Sequence, residues 1–193
     1  MKNGSRFPIM SDRGNGTGRF CEASDCFTDR IVFRSKIGNI RLLGCRSMLV
    51  SLAFTDESPG EPDGCSPMLS DAREQILSYL DGRLYNFDIP LHLEGTDFSN
   101  AVWRELQSIP YGTVRTYADI AKGIGNTKAF RAVGNAVHAN PLPIVVPCHR
   151  VVRSDGRPGG YAWGEERKAF LLGLEQKGGN LIHKRNSGND VKS

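Results

Sequence analysis

Apolar residues alternate with polar ones from Ile31 to Cys45 and again from Met48 to Phe54, broken at Gly38-Asn39 and at 44–47. Period-two runs joined by tight turns predict strands in a small antiparallel meander. Pro, Gly, Glu and Asp then dominate 56–67, which predicts a loop. From Ser70-Asp71, a predicted cap, Ala72, Ile76, Leu77 and Leu80 recur at helical spacing and stop at Gly82. The stretch 87–93 holds Pro90 and predicts an edge strand or crossing linker, with a domain boundary at about 88–95.

Helical periodicity takes over in the second half. Phe98, Val102, Trp103 and Leu106 form one stripe, ended by Ile109-Pro110-Tyr111-Gly112. Thr116, with Asp119 three residues on, forms a capping-box pattern for a helix broken at 123–126. Thr127 is the predicted cap of the next helix, which reaches Ala139, and two short helices across a glycine-containing turn make a helix-turn-helix. In the second of them Phe130, Val133 and Val137 share an inward face, small residues keep the profile low, and Thr127, Arg131 and Asn135 project. Such a helix fits a nucleic-acid groove or a tightly packed neighbour equally well. Apolar residues 144–146 predict a short buried strand leading into a turn, and 154–156 a further turn. Pro158-Gly159-Gly160 is an open loop ending at Tyr161 and Trp163, and a last helix runs from about Glu165 to Gly178-Gly179.

The organisation predicted is a leader over 1–25, a sheet domain over 26–92, a second domain over 93–179 and a disordered tail over 180–193. No apolar run approaches the ~20 residues that cross a bilayer, and the leader lacks the apolar core of a secretory signal. Five scattered cysteines argue against a disulfide scaffold and for a reducing compartment, a bacterial cytoplasm or, in a eukaryote, the nucleus. The net charge of +4 hides an asymmetry: residues 1–97 carry 11 Lys/Arg against 14 Asp/Glu, and 98–193 carry 14 against 7. The basic half would attract a polyanion.

That half also holds the candidate chemistry. Cys148 follows Pro147 and precedes His149 and Arg150. A buried cysteine is most often an inert small hydrophobe, but here a turn-forming proline, a base and a cation flank it. These are the neighbours that make a thiol a nucleophile. A Cys148–His149–Glu175 set has the logic of a triad, in which the carboxylate fixes the imidazole and the imidazole takes the thiol proton, directly or through a water. Adjacent strand residues point to opposite faces, so a water-bridged relay is expected. Glu175 falls near the predicted helix C-terminus, where the dipole disfavours a carboxylate, and needs a local explanation.

Pro147-Cys148-His149-Arg150-Val151-Val152, with Asn140-Pro141 before and Gly160-Tyr161 after, resembles the signature of the O6-alkylguanine-DNA alkyltransferases, the methylated-DNA–protein-cysteine methyltransferases. The resemblance continues through Phe98 to Trp103, Ile109-Pro110-Tyr111-Gly112, Thr116-Tyr117 and 131–134, and downstream through Arg167-Lys168 to Glu175. It covers nearly all of 98–175 and, more loosely, the sheet domain. It implies an α+β protein, with a ribonuclease H-like N-terminal antiparallel-sheet domain and a mainly helical C-terminal domain carrying a winged helix-turn-helix.

What the resemblance implies for function is a single-turnover DNA repair protein that extrudes O6-alkylguanine, and O4-alkylthymine, from duplex DNA and moves the alkyl group irreversibly to Cys148. His149 and Glu175 would be the relay, Asn140 the tie between the helix-turn-helix and the active-site segment, and Tyr161 a proton source for the departing guanine. Arg131 would fill the gap left in the duplex and Tyr117 would lie beside the rotated phosphate, with Asn126, Asn135 and Ser154 among the DNA contacts. Val151, Val137, Gly159, Gly160 and Trp163 would bound the base pocket. No cofactor, no membrane and a monomer are implied. Some relatives bind zinc in the first domain; Cys26 and Cys45 match two ligand positions, but Val50 and Asp88 stand where the histidines would, so no complete metal site is expected. Trp163 replaces a small residue of many members, which implies a preference for methyl over benzyl adducts. Two other readings use the same features: a lesion-binding protein without catalysis, and a helix-turn-helix transcription regulator.

Overall fold

A computed structural model describes residues 28–60 and 66–186; the expected leader, Cys21, Cys26 and Cys65 lie outside them. Strands β1 (Thr28–Ser35), β2 (Gly38–Cys45) and β3 (Met48–Thr55) form the antiparallel meander in that order. Its register pairs Ile31 with Leu42, Phe33 with Ile40, Leu42 with Leu52 and Ile40 with Phe54, so the apolar half of each alternating run shares one buried face. Helix α1 (Pro67–Leu80) covers that face through Leu69, Ala72, Ile76, Tyr79 and Leu80. It begins a turn before the predicted Ser70-Asp71 cap, because Ser66 accepts from the Leu69 N–H and Pro67, with φ already helical, opens the helix. Gly82, at φ +73°, follows its end as predicted.

The segment around Pro90 lies along β3: the Leu49 N–H donates to the Pro90 carbonyl (2.8 Å), and the His92 N–H to the Leu49 carbonyl (2.9 Å). Proline is tolerated there because it is asked only to accept. Cys45 is disulfide-bonded, whereas the scattered cysteines predict the thiols of a reducing compartment. No described helix is long and apolar enough to cross a membrane.

In the second half, α2 (Asp97–Gln107) buries Val102, Trp103 and Leu106, and the Trp103 indole donates to the Ala136 carbonyl (2.9 Å). After β4 (Arg115–Thr116), the Thr116/Asp119 capping box opens α3 (Tyr117–Gly123) as the sequence predicts. Helix α4 (Phe130–His138) completes the helix-turn-helix, but Thr127 does not cap it: Ala129 holds that position without a side-chain bond. The late start also overturns the inward placement of Phe130. Val133, Ala136 and Val137 are the buried arc, and Phe130, at the first helical position, is 50% exposed.

The strand predicted over 144–146 is not one. Ile144 has φ +74°, Pro147 offers no N–H to a ladder, and the Cys148 N–H closes onto the Val146 carbonyl (2.8 Å). Cys148–Arg150 is instead a single 3-10 turn, and only Val151–Val152 is a strand, β5, parallel to β4. An antiparallel bridge from Val152 to Pro158 closes the intervening loop into a small wing. Helix α5 (Glu165–Asn186) runs well past Gly178-Gly179, which places Glu175 inside the helix rather than near its end.

Candidate active site

Cys148 is a free thiol, 4% exposed, in the wall of a cavity of about 210 Å³. Three elements meet there. Helix α4 contributes Gly134, Asn135, Val137 and His138; Tyr117 comes from the start of α3; and the loop before α5 supplies Gly160, Tyr161, Ala162 and Trp163. Asn140 holds the approach to the 3-10 turn, donating through Nδ2 to the Val146 carbonyl (2.8 Å) and accepting from the Leu142 N–H (3.0 Å). Burial pushes the Cys148 thiol up to about 11, against opposing pulls from Asn140 and the Lys168 charge. The resting group is therefore a thiol, and forming the thiolate requires a proton acceptor.

Behind the thiol lies a fully buried polar cluster centred on Glu175. Its Oε1 accepts from His149 Nε2 (2.8 Å), the Tyr79 hydroxyl (2.5 Å) and Arg150 Nη2 (2.9 Å). Its Oε2 accepts from the Gly112 N–H (2.8 Å), and Arg150 Nε reaches both oxygens at 3.0 Å. This is the local explanation for the carboxylate. Burial alone would raise Glu175, but the His149 hydrogen bond and the Arg150 ion pair outweigh it and hold the group at about 2. Burial lowers His149, so its imidazole rests neutral. Since Nε2 faces a carboxylate it carries the hydrogen, and Nδ1, buried without a protein hydrogen-bond partner, is the basic atom.

Lys168 is buried within α5 and donates to the carbonyls of Val151 (2.7 Å) and Gly159 (3.1 Å). Desolvation lowers its ammonium, and its remaining charge favours the Cys148 thiolate. Gly159 is required by its neighbour: a Cβ there would lie 2.6 Å from the Tyr117 hydroxyl. Burial first, and then Cys148, raise both Tyr117 and Tyr161, so both phenols rest protonated beside the sulfur. The Tyr161 hydroxyl faces the Cys148 sulfur, and its hydrogen bond there favours the thiolate. Trp163 is fixed from behind by Phe54 of β3, ring centroids 5.5 Å apart, and by Arg167, which donates to the Trp163 carbonyl (2.7 Å) and the Ile37 carbonyl (2.8 Å).

The structure thus brings Cys148, Asn140, Tyr117, Tyr161, Val137, Asn135, Gly160 and Trp163 to one cavity, with His149 and Glu175 directly behind it. Val151 and Gly159 do not line it; they act from behind, as carbonyl acceptors for Lys168. Arg131 is exposed on α4, while Asn126 and Ser154 are exposed in the α3–α4 turn and the wing. Tyr79, Lys168 and Gly112 belong to the site although the sequence pattern singled none of them out as a site residue, and Arg150, expected as a cation beside the thiol, instead pairs with Glu175. Among the described residues no group of three His, Cys, Asp or Glu could hold a metal ion.

Comparison with known proteins agrees with this geometry. The family model for the 6-O-methylguanine DNA methyltransferase DNA-binding domain matches residues 97–177, and that for the ribonuclease-like domain of the same proteins matches 30–93. The methylated-DNA–protein-cysteine methyltransferase of Methanosarcina barkeri is 43% identical over 150 residues, covering 75% of this chain and 95% of its own. The constitutive enzyme of Bacillus subtilis is 47% identical over 112 residues, covering 58% and 68%. Among solved structures, the O6-methylguanine methyltransferase of Mycobacterium tuberculosis superposes with a TM-score of 0.70 at 40% identity, covering 78% of this chain and 94% of that one. The same enzyme in complex with DNA also scores 0.70, covering 77% and 93%. From these matches over both domains, the chain belongs to the methylated-DNA–protein-cysteine methyltransferase family.

Proposed function

We propose that Cys148 is the acceptor thiol of a DNA repair methyltransferase that takes the alkyl group from O6-alkylguanine, and from O4-alkylthymine, in duplex DNA. One observation carries the reading: a buried thiol lines a cavity whose other wall is the second helix of a helix-turn-helix. A base atom cannot reach such a thiol inside a duplex, so the nucleotide is extruded into the cavity at a cost of about a few kcal/mol. Arg131 fills the gap, Tyr117 faces the turned phosphate, and Asn126, Asn135 and Ser154 contact the duplex. The positive excess of the second half supplies sequence-independent phosphate attraction.

In the transfer step the sulfur electron pair forms the S–C bond as the C–O6 bond breaks. The thiol proton passes to His149 Nδ1 through a bridging water, and Glu175 stabilises the imidazolium. The guanine leaves with a proton from Tyr161, which His149 ultimately replaces, so that S–H and O–C are exchanged for S–C and N–H. No side chain in the cavity can cleave the resulting thioether, and each molecule acts once. Trp163, braced by Phe54 and Arg167, narrows the entrance and favours methyl over benzyl adducts.

The test is single-turnover transfer from duplex O6-methylguanine by the wild type and by Cys148→Ser. Wild type is expected to transfer one methyl per molecule, while Cys148→Ser still binds the lesion duplex and transfers none. Transfer by the serine variant, or multiple turnovers by the wild type, would refute the assignment. For adduct size, Trp163→Gly is expected to raise the benzyl rate relative to the methyl rate; equal benzyl and methyl rates in the wild type would sink the gating role.

A further inference from the structure

Phe130 is among the exposed large apolar side chains of the described residues, and it stands on α4. On that helix Val133, Ala136 and Val137 face inward, whereas Arg131, Asn135 and His138 are exposed. At ~100° per residue, Phe130 lies one turn before Gly134, between the inner arc and the exposed stripe, on the side of α4 that lines the cavity. The Arg131 guanidinium sits 5.9 Å from the centre of its ring, within cation–π range, so the two side chains form one projecting unit. Around them the helix keeps to Ala132 and Gly134, which let it approach a surface closely.

We propose that Phe130 is an apolar wedge for duplex DNA: with α4 laid in a groove, its ring packs on the base step beside the extruded nucleotide, next to Arg131. The inference rests on the DNA-repair reading above. Three observations point to DNA as the occupant: the ring stands one helical turn before Gly134, which lines the cavity, its ring partner is a cation suited to phosphate, and a 40% identical relative has been crystallised with DNA. Apolar wedges of this kind unstack a base step in other DNA-bending proteins. Stacking on an aromatic face is also tolerant of sequence, as a protein that must repair lesions in any context requires.

The test compares methyl transfer to Cys148 from O6-methylguanine in a duplex and from the free O6-methylguanine base, for wild type, Phe130→Ala and Phe130→Trp. Aromatic–base stacking of about 1–3 kcal/mol predicts that Phe130→Ala slows duplex repair roughly 5- to 150-fold. The free-base rate is expected to stay unchanged, and Phe130→Trp to restore the duplex rate. Because the ring is neutral, the salt dependence of duplex binding is expected to keep its slope in Phe130→Ala. An unchanged duplex rate in Phe130→Ala, or equal loss on both substrates, overturns the wedge; the second result would make Phe130 a folding residue. Loss of self-association in Phe130→Ala, with duplex repair intact, would assign the ring to a second copy of the chain instead. Failure of the wild type on both substrates would refute the repair reading itself.

Discussion

Glu175 is the centre of the buried polar cluster behind Cys148. His149, Tyr79, Arg150 and Gly112 all donate to it, so removing its charge leaves Arg150 buried and unpaired. Glu175→Ala is expected to cost about 3–5 kcal/mol in denaturant unfolding; a loss indistinguishable from that of a surface substitution would contradict the cluster. A carboxyl depressed to about 2 from 4.5 contributes stability above its unfolded value and loses it as pH falls through that window. A neutral buried His149, lowered from 6.5, likewise disfavours acid, because the unfolded chain takes up the proton first. Stability should therefore fall from about pH 6.5 downward, and transfer should fall with a midpoint below 6.5 as His149 loses its basic Nδ1. A rate that does not fall on acidification would remove His149 from the relay. Tyr79→Phe deletes one donor to Glu175 without opening a cavity, and is expected to slow transfer from duplex and free base by the same factor. At this scale the Cys148-His149 pair was legible, because a proline, a base and a cation around a thiol are unusual. Tyr79 was not, since it occupies the apolar stripe of α1 and reads as core. Nor was Lys168, which sits in a charged run that reads as solvated surface.

Local elements were legible where a backbone signal is self-contained. The Thr116/Asp119 box caps α3 as predicted, because both partners of that bond lie within four residues. Predictions that depended on packing went astray. Thr127 has the chemistry of a cap, yet the chain turns through 127–129 before α4 begins, and Phe130 is left outside with it. Likewise Ile144 to Val146 has strand composition, but Pro147 cannot join a ladder and the turn it forces delivers the thiol. The absent side chain of Gly159 lets the wing lie close against the Tyr117 phenol of the helix-turn-helix. Gly159→Ala is expected to displace that flexible side chain rather than the backbone, so duplex repair should slow while the melting temperature changes little. A large fall in melting temperature with normal duplex repair would place Gly159 in the scaffold only.

Across the whole molecule the first half braces the cavity that the second half lines. The sheet domain sends Tyr79 to Glu175, Phe54 to the back of Trp163 and the Ile37 carbonyl to Arg167, while the Leu52 N–H donates to the Pro141 carbonyl (2.9 Å). The sequence pattern separated the halves by their periods, alternating then helical, but such long-range contacts leave no periodic trace. The charge division was visible, and it places the positive excess with the cavity. Delivery of an alkylated base through this cavity to Cys148 is tested most directly by peptide mass mapping after incubation with an O6-methylguanine duplex. A gain of one methyl confined to the peptide containing Cys148, absent in Cys148→Ala, is the result expected; no gain, or a methyl on another cysteine, would contradict it.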